Sequence, residues 1–290
     1  MKFTDSHCHL DFQAFHQSLP TLLQQCHDKH IHRIIVPSVT PERWQSVLSL
    51  TEQLKAKVNI ACGLGIHPWF LIPGNELSAE NIDLDFQTKQ LKKTLKIALD
   101  NNHQQVVAIG ECGIDVFKAK KNTHNEQAFA KNIELQQQCF EMQLQLAQEH
   151  NLPVIVHHCQ SHQYIVPLLK KYNVSKGGVI HAFSGNYQQA KAYLDLGYKL
   201  GIGGTITYPR AKKTINAVKR LPLASLVIET DAPAMQPLGQ QGMNNSPLNL
   251  LIVFQALVAI RAESSDVVAQ QLELNVDQLF FADERKLGAR

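Results

Sequence analysis

The sequence predicts an α/β fold, a (β/α)8 barrel of the TIM type built as a single domain over residues 1–290. Three observations predict it. Short apolar, β-branched runs alternate with longer helical patterns eight times over. Runs such as IIV, VVAI and PVIV are nearly continuous in apolar residues, as strands covered by helices on both faces require. No Gly-Ser or Pro-rich linker and no low-complexity segment divides the chain. A length of 290 residues suits a barrel, which takes roughly 250. A doubly wound open sheet is the structural alternative.

The elements follow in order. The first strand is Phe3–His9, followed by a helix over Thr21–His30. The strand Ile34–Val39 then leads to the helix Pro41–Lys57. The third strand, Asn59–His67, opens into a long loop, Pro68–Asp83, before the helix Asp85–Asn102. The fourth strand, Val106–Asp115, precedes the clearest helix, Glu126–His150, where Phe129, Ile133, Phe140, Leu144 and Ala147 recur at helical spacing. Asn151 and Pro153 stop that helix. Pro153–His157, Gly178–Phe183, Tyr198–Gly203 and Leu226–Asp231 are the remaining strands. Helices Gln163–Tyr172, Tyr187–Gly197 and Ala211–Arg220 lie between them. A second long loop, Ala232–Asn245, and helices over Ser246–Ala262 and Asp266–Phe280 complete the chain. Both long loops follow strands, so in a barrel they lie at the C-terminal face, where substrate loops belong.

Composition narrows the function classes. Hydrophobic residues make up 44% and charged residues 18%, which excludes a disordered chain. No run of about 18 apolar residues is present to span a membrane. The start, MKFTDSHCHL, is polar by position 4 and lacks the apolar stretch of a secretory signal. The six cysteines at 8, 26, 62, 112, 139 and 159 include no C-x-x-C pair, so reduced thiols and a cytoplasmic location are expected. The net charge of +3 is too mild to argue nucleic-acid binding and too balanced to argue a membrane surface. No obligate protein partner is implied.

The chemistry sits at the strand ends. In Asp5-Ser6-His7-Cys8-His9, side chains two apart share a face, so His7 and His9 project together, Asp5 lies one step deeper on the same side, and Cys8 points to the helices. An H-x-H alone is a weak signal. Other strands end alike, in Glu111, His157, His181 and Asp231. Each is an apolar run finishing in a metal-competent side chain, which costs several kcal/mol to bury unless paired or bound to metal. Six ligands exceed one tetrahedral site and suit two divalent cations about 3.5–4 Å apart. Glu111 is the natural bridge, with His7, His9 and Asp231 completing one site and His157 and His181 the other. Imidazole-rich ligation favours zinc, manganese, cobalt or nickel over magnesium.

These motifs resemble the TatD-type metal-dependent deoxyribonucleases, within the amidohydrolase-like barrels. The matching segments are DSHCHLDF at 5–12, GLGIHP at 63–68, GECGID at 110–115, LPVIVH at 152–157, GVIHAFSG at 178–185 and ETDAP at 229–233, and the resemblance spans the whole chain. It implies the same ligand set, hydrolysis of phosphodiester bonds in DNA, and a divalent cofactor, with magnesium also admissible. One departure stands out. Family members commonly carry Arg two residues after the fourth histidine, and this chain has Cys159 there. A guanidinium can clamp a phosphate bidentately and a thiol cannot. His158 and His162 are the candidates to compensate.

Further assignments follow. Asp231 and Glu111 are the expected catalytic residues, with Asp231 able to take a proton from the attacking water. His67 is expected to face the substrate, and Glu229 to orient a ligand from behind. Asp115 can hold a histidine or cap the following loop. Lys118, Lys120 and Lys121, with Arg210, Lys212 and Lys213, would rim the mouth and draw a polyanion. Trp69 and Phe70 beside His67 are the only aromatic pair placed for stacking. DNA or another phosphodiester is the expected partner. Amide or ester hydrolysis on the same centre, such as deacylation of an aminoacyl ester, is the first alternative, and a non-enzymatic metal-binding protein the second.

Overall fold

Eight parallel strands form one sheet in the order β1 to β8, each paired to the next in sequence. The structure, a computed structural model, describes residues 1–53, 58–71, 84–102 and 105–282. The strands are β1 (Phe3–Asp5), β2 (Ile31–Pro37), β3 (Asn59–Leu64), β4 (Val106–Asp115), β5 (Val154–Cys159), β6 (Gly178–Ile180), β7 (Tyr198–Ile202) and β8 (Leu226–Ile228). The seam between β8 and β1 closes just past the strand ends. There Ser6 N–H donates to Ile228 O at 3.0 Å, Asp231 N–H donates to His7 O at 2.9 Å, and Cys8 bridges Ala232. The barrel expected from sequence is thus present, and the open doubly wound sheet is excluded.

The helices are α1 (Leu19–Asp28), α2 (Trp44–Gln53), α3 (Leu84–Asn102), α4 (Val116–Asn122), α5 (Glu126–Glu149), α6 (His162–Tyr172), α7 (Tyr187–Leu194), α8 (Lys212–Arg220), α9 (Leu250–Ile260) and α10 (Ser265–Phe280). Residues 72–83 of the expected loop after β3 and residues 54–57 of the expected second helix lie outside the described residues. Among the described residues no helix is long and apolar enough to cross a membrane.

Alternation along the strands sorts two apolar layers. Ile34 and Val36, Val154 and Val156, and Leu226 and Ile228 face outward into the core shared with the helices. Their neighbours Ile35, Ile155 and Val227, with Ala61, Ala108 and Val179, fill the barrel interior. The last turns of α10 plug the floor of that layer with Val276, Leu279 and Phe280, beside Phe281. Arg33 on β2 locks the plug through Asp277 at 2.9 Å and lies 4.2 Å over the Phe281 ring. The opposite end of the interior layer is left to polar side chains.

Several strands stop earlier than expected. β1 ends at Asp5, β6 at Ile180 and β8 at Ile228, so His7, His9, His181 and Asp231 sit on the turns beyond. Asp5 also departs from expectation. Thr4 turns inward to Glu273 of α10 at 2.9 Å and Ser6 turns inward toward Glu229 at 3.5 Å. By alternation Asp5 faces out. It accepts from Thr230 Oγ1 at 2.6 Å and from the His7 and Thr230 amides, and burial pushes its carboxyl up to about 8. His7 returns to the interior because regular pairing has ended.

Candidate active site and metal centre

Glu111 is aimed by an irregularity in β4. Ile109 pairs with Val154 but Cys112 pairs with Val156, so three steps on β4 match two on β5. The extra residue is a bulge, which re-aims one side chain. Without it Ala108 and Glu111, three apart, would face opposite ways. With it Glu111 enters the interior and Cys112 joins the outer core. Gly110, at φ +147, makes this possible, since a Cβ there would lie 2.6 Å from Ile155 O.

The two carboxylate oxygens of Glu111 face different groups. Oε2 lies 3.2 Å from His7 Nε2 and 3.4 Å from His9 Nε2. Asp231 Oδ1 is 3.5 Å from both of those nitrogens, and the two nitrogens are 3.2 Å apart. Oε1 lies 2.9 Å from His157 Nδ1, 3.0 Å from His181 Nε2 and 3.1 Å from His67 Nε2. All six side chains proposed as ligands therefore converge around one carboxylate. Asp231 reaches the cluster from a left-handed backbone, φ +54, which a short polar side chain tolerates. The same region at Ala182, φ +47, costs roughly 1–2 kcal/mol for a residue with a Cβ. It turns the Ala182 N–H onto Glu229 Oε1 at 2.5 Å.

Hydrogen bonds behind the rings decide which nitrogens are free. His9 Nδ1 faces Pro37 O at 3.2 Å, and a carbonyl only accepts, so Nδ1 carries a proton and Nε2 is the nitrogen turned to the carboxylates. His157 Nε2 donates to Asp115 Oδ2 at 3.0 Å, which leaves the Nδ1 lone pair toward Glu111. His181 Nδ1 lies 3.4 Å from Glu229 Oε1, close to but outside hydrogen-bond geometry. His7 Nδ1 is buried without a hydrogen bond among the described residues. His9 Nε2 and His157 Nδ1 thus face carboxylate oxygens at 2.9–3.4 Å. Acceptor against acceptor is repulsive unless a proton or a cation lies between.

The donor set fits a cation. Donors held about 2.0–2.2 Å from one zinc-sized ion lie about 3.3–3.6 Å apart at tetrahedral angles. His7, His9 and Glu111 are separated by 3.2, 3.2 and 3.4 Å. They form one candidate ligand group, and His7, His181 and Glu229 form another.

His67 behaves differently. It belongs to a third candidate group with Glu111 and His157. Its Nδ1, however, accepts the Trp69 backbone N–H at 3.0 Å, so its proton is on Nε2. Burial pulls its pKa down to about 4, so it is neutral. His67 then donates to Glu111 and offers no lone pair there.

Electrostatics follow the geometry. Burial works against the Glu111 carboxylate, yet His67, His181 and His7 hold its pKa well below the usual range. Burial also opposes charge on His9, but Asp231 and Glu111 overturn it and lift His9 to about 10. Asp231 is held down, against burial, by His9, His181 and His7.

The second layer holds a residue whose two readings both apply. Asp115 Oδ2 receives His157, while Oδ1 caps α4 by accepting the Lys118 N–H at 2.6 Å. The even spacing of 111, 113 and 115 beyond the bulge is the sequence signal for its inward face. Glu229 is fully buried, with no lysine or arginine partner among the described residues. His158 and His162 do not compensate for the missing arginine. His158 packs edge-on to Tyr193 of α7, and His162 Nδ1 lies 3.1 Å from the Tyr193 hydroxyl, away from the mouth. Cys159 sits beside Asp115, and burial pushes its thiol up to about 11.

The mouth is a cavity of about 130 Å³ lined by Phe12, Val39, Trp69, Phe70, Pro233 and Ala234 above the cluster of His9, His67, Glu111, His157, His181 and Asp231. Trp69 and Phe70 are about half exposed. Lys120 and Lys121 on α4, and Arg210, Lys212 and Lys213 at the start of α8, are exposed.

A parallel barrel with a carboxylate-bridged imidazole cluster at its C-terminal mouth defines the class of metal-dependent barrel hydrolases. Comparison with known proteins agrees. The profile of the TatD-related DNase family matches residues 4–281. A metal-dependent hydrolase of Escherichia coli, YjjV, is 38% identical over 279 residues, covering 96% of this chain and 98% of its own length. One from Haemophilus influenzae is 36% identical over 282 residues, covering 97% and 100%. The crystal structure of the Escherichia coli protein, described as a TatD homologue, superposes with a TM-score of 0.81 over 96% of this chain and 97% of that one. An amidohydrolase from Saccharomyces cerevisiae, 16% identical, shares the fold with a TM-score of 0.80, covering 97% of this chain and all of its own. The chain belongs to the TatD family of metal-dependent hydrolases.

Proposed function

We propose that the protein is a deoxyribonuclease that hydrolyses phosphodiester bonds at a centre of two divalent cations, acting in the cytoplasm as one domain over residues 1–290. The single observation that carries the two-cation reading is the division of Glu111, whose Oε2 faces His7 and His9 and whose Oε1 faces His157 and His181. His7, His9, Glu111 and Asp231 would hold one cation, and Glu111, His157 and His181 the other. When bound, such a pair acidifies water and polarises a phosphoryl oxygen. Soft imidazole donors support zinc, manganese, cobalt or nickel, and family membership keeps magnesium.

The chain's own residues supply the rest. Asp231, held ionised by three imidazoles, takes a proton from the attacking water. His67, whose Nε2–H donates to Glu111, lines the mouth and meets the substrate through the face of its ring. Asp115 and Pro37 O fix the tautomers of His157 and His9, so no reorganisation is needed during reaction. The basic clusters on α4 and α8 draw the polyanion, so binding weakens with salt.

A second reading has its own support. Among the described residues lining the cavity none is arginine or lysine, and the walls are apolar. That favours a neutral acyl substrate, an amide or an aminoacyl ester. The discriminating assay runs metal-loaded protein against a bis-aryl phosphodiester and an aryl ester, with His157→Ala as control. Phosphodiester turnover well above the control is expected. Turnover no higher than the control, with ester cleavage intact, replaces the nuclease reading with the acyl one.

A further inference from the structure

Trp69 holds two of the three imidazoles that face Glu111 Oε1. Its backbone N–H donates to His67 Nδ1 at 3.0 Å. Its indole Nε1–H donates to Asp115 Oδ2 at 2.6 Å. That same oxygen receives His157 Nε2 at 3.0 Å. The indole stands edge-on to both rings, with centroids 5.1 Å from His67 and 6.1 Å from His157. Trp69 also lines the mouth and is 47% exposed, so packing alone does not explain its anchorage.

We propose that Trp69 is a positioning residue for His157, acting through Asp115 Oδ2. The inference rests on the two-cation reading. The reasoning is one of directional hydrogen bonding. A carboxylate shared by two N–H donors has little freedom to rotate about its terminal torsion. Lys118 N–H on Oδ1 at 2.6 Å and the indole on Oδ2 fix the Asp115 plane from both ends. Oδ2 then stays where His157 must place Nε2, and Nδ1 is the only atom that ring can offer toward Glu111. His157 is the one member of the imidazole set that presents Nδ1 to Glu111, so it depends most on an outside restraint. Removing the indole N–H frees Asp115 to turn, and His157 loses its fixed tautomer and tilt. Such partners behind a ligand change metal affinity by roughly 10–100-fold.

The test uses Trp69→Phe, which keeps an aromatic ring and the backbone N–H on His67 but removes the indole donor. Metal-free wild-type, Trp69→Phe, Asp115→Asn and doubly substituted proteins are titrated with Zn²⁺ against a competing chelator. Wild type is expected to take two equivalents. Trp69→Phe should keep the first at wild-type affinity and weaken the second by about tenfold. In the Asp115→Asn background, adding Trp69→Phe should change nothing further, because its route is already cut. Equal binding of both equivalents by wild type and Trp69→Phe overturns the inference and leaves the two-cation reading standing. So does a double variant whose loss equals the sum of the single losses. One equivalent in wild type overturns the two-cation reading itself, and the inference with it.

Discussion

Glu111→Gln is the sharpest perturbation available, because one carboxylate serves both halves of the cluster. Gln keeps the length and volume of the side chain but replaces one oxygen with an NH₂ that cannot accept. Whichever oxygen is lost, one group of imidazoles then faces a donor at about the present separations of 2.9–3.4 Å. The remaining oxygen is neutral and grips more weakly. A hydrogen bond or ligand contact to a charged group is worth about 1.5–3 kcal/mol more than nothing. Applied to each of two cations, the loss is about 3–6 kcal/mol. At about 1.4 kcal/mol per decade this is roughly 10²–10⁴-fold in combined cation affinity. Turnover should fall at least as far, since the bridging charge also sets the spacing of the pair. The assay is elemental analysis after dialysis against a weak chelator, with phosphodiester turnover measured on the same samples. Circular dichroism confirms that the variant is folded. A folded Glu111→Gln protein that retains both cations and wild-type turnover would refute the bridging argument outright.

Two other outcomes follow from the same geometry. His9 sits at about 10 in the metal-free protein, because Asp231 and Glu111 outweigh the burial that opposes its charge, so at pH 7 it carries a proton that a cation must displace. Cation affinity should therefore rise with pH up to that value, and calorimetric titration in two buffers of different ionisation enthalpy should report at least one proton released; no release contradicts the assignment of His9. Gly201 is packed against the fully buried Glu229, where an added Cβ would lie 2.1 Å from Oε2. Gly201→Ala should cost about 1–3 kcal/mol in chemical denaturation and push Glu229 off the Ala182 amide, weakening cation binding; a variant as stable as wild type shows that Glu229 has room to move.

Much of this molecule is written locally. Period-two alternation and apolar runs set eight strands and two faces, because a strand's sidedness is a property of its own residues. The cost of leaving His7, Glu111, His157, His181 or Asp231 unpaired at an apolar strand end is also local, so their convergence could be read before any coordinates. What the tertiary structure decided are properties of pairs from different strands. The bulge beside Gly110, which depends on the approach of β5, turns Glu111 inward. The early end of β1 brings His7 back to the interior while Asp5, facing outward, binds Thr230. The proton of His67 is fixed locally, by the Trp69 N–H two residues on, but those of His9 and His157 are fixed by Pro37 and Asp115, 28 and 42 residues away. A sequence can name a donor, but which of its two nitrogens is free depends on an acceptor that only folding brings into reach.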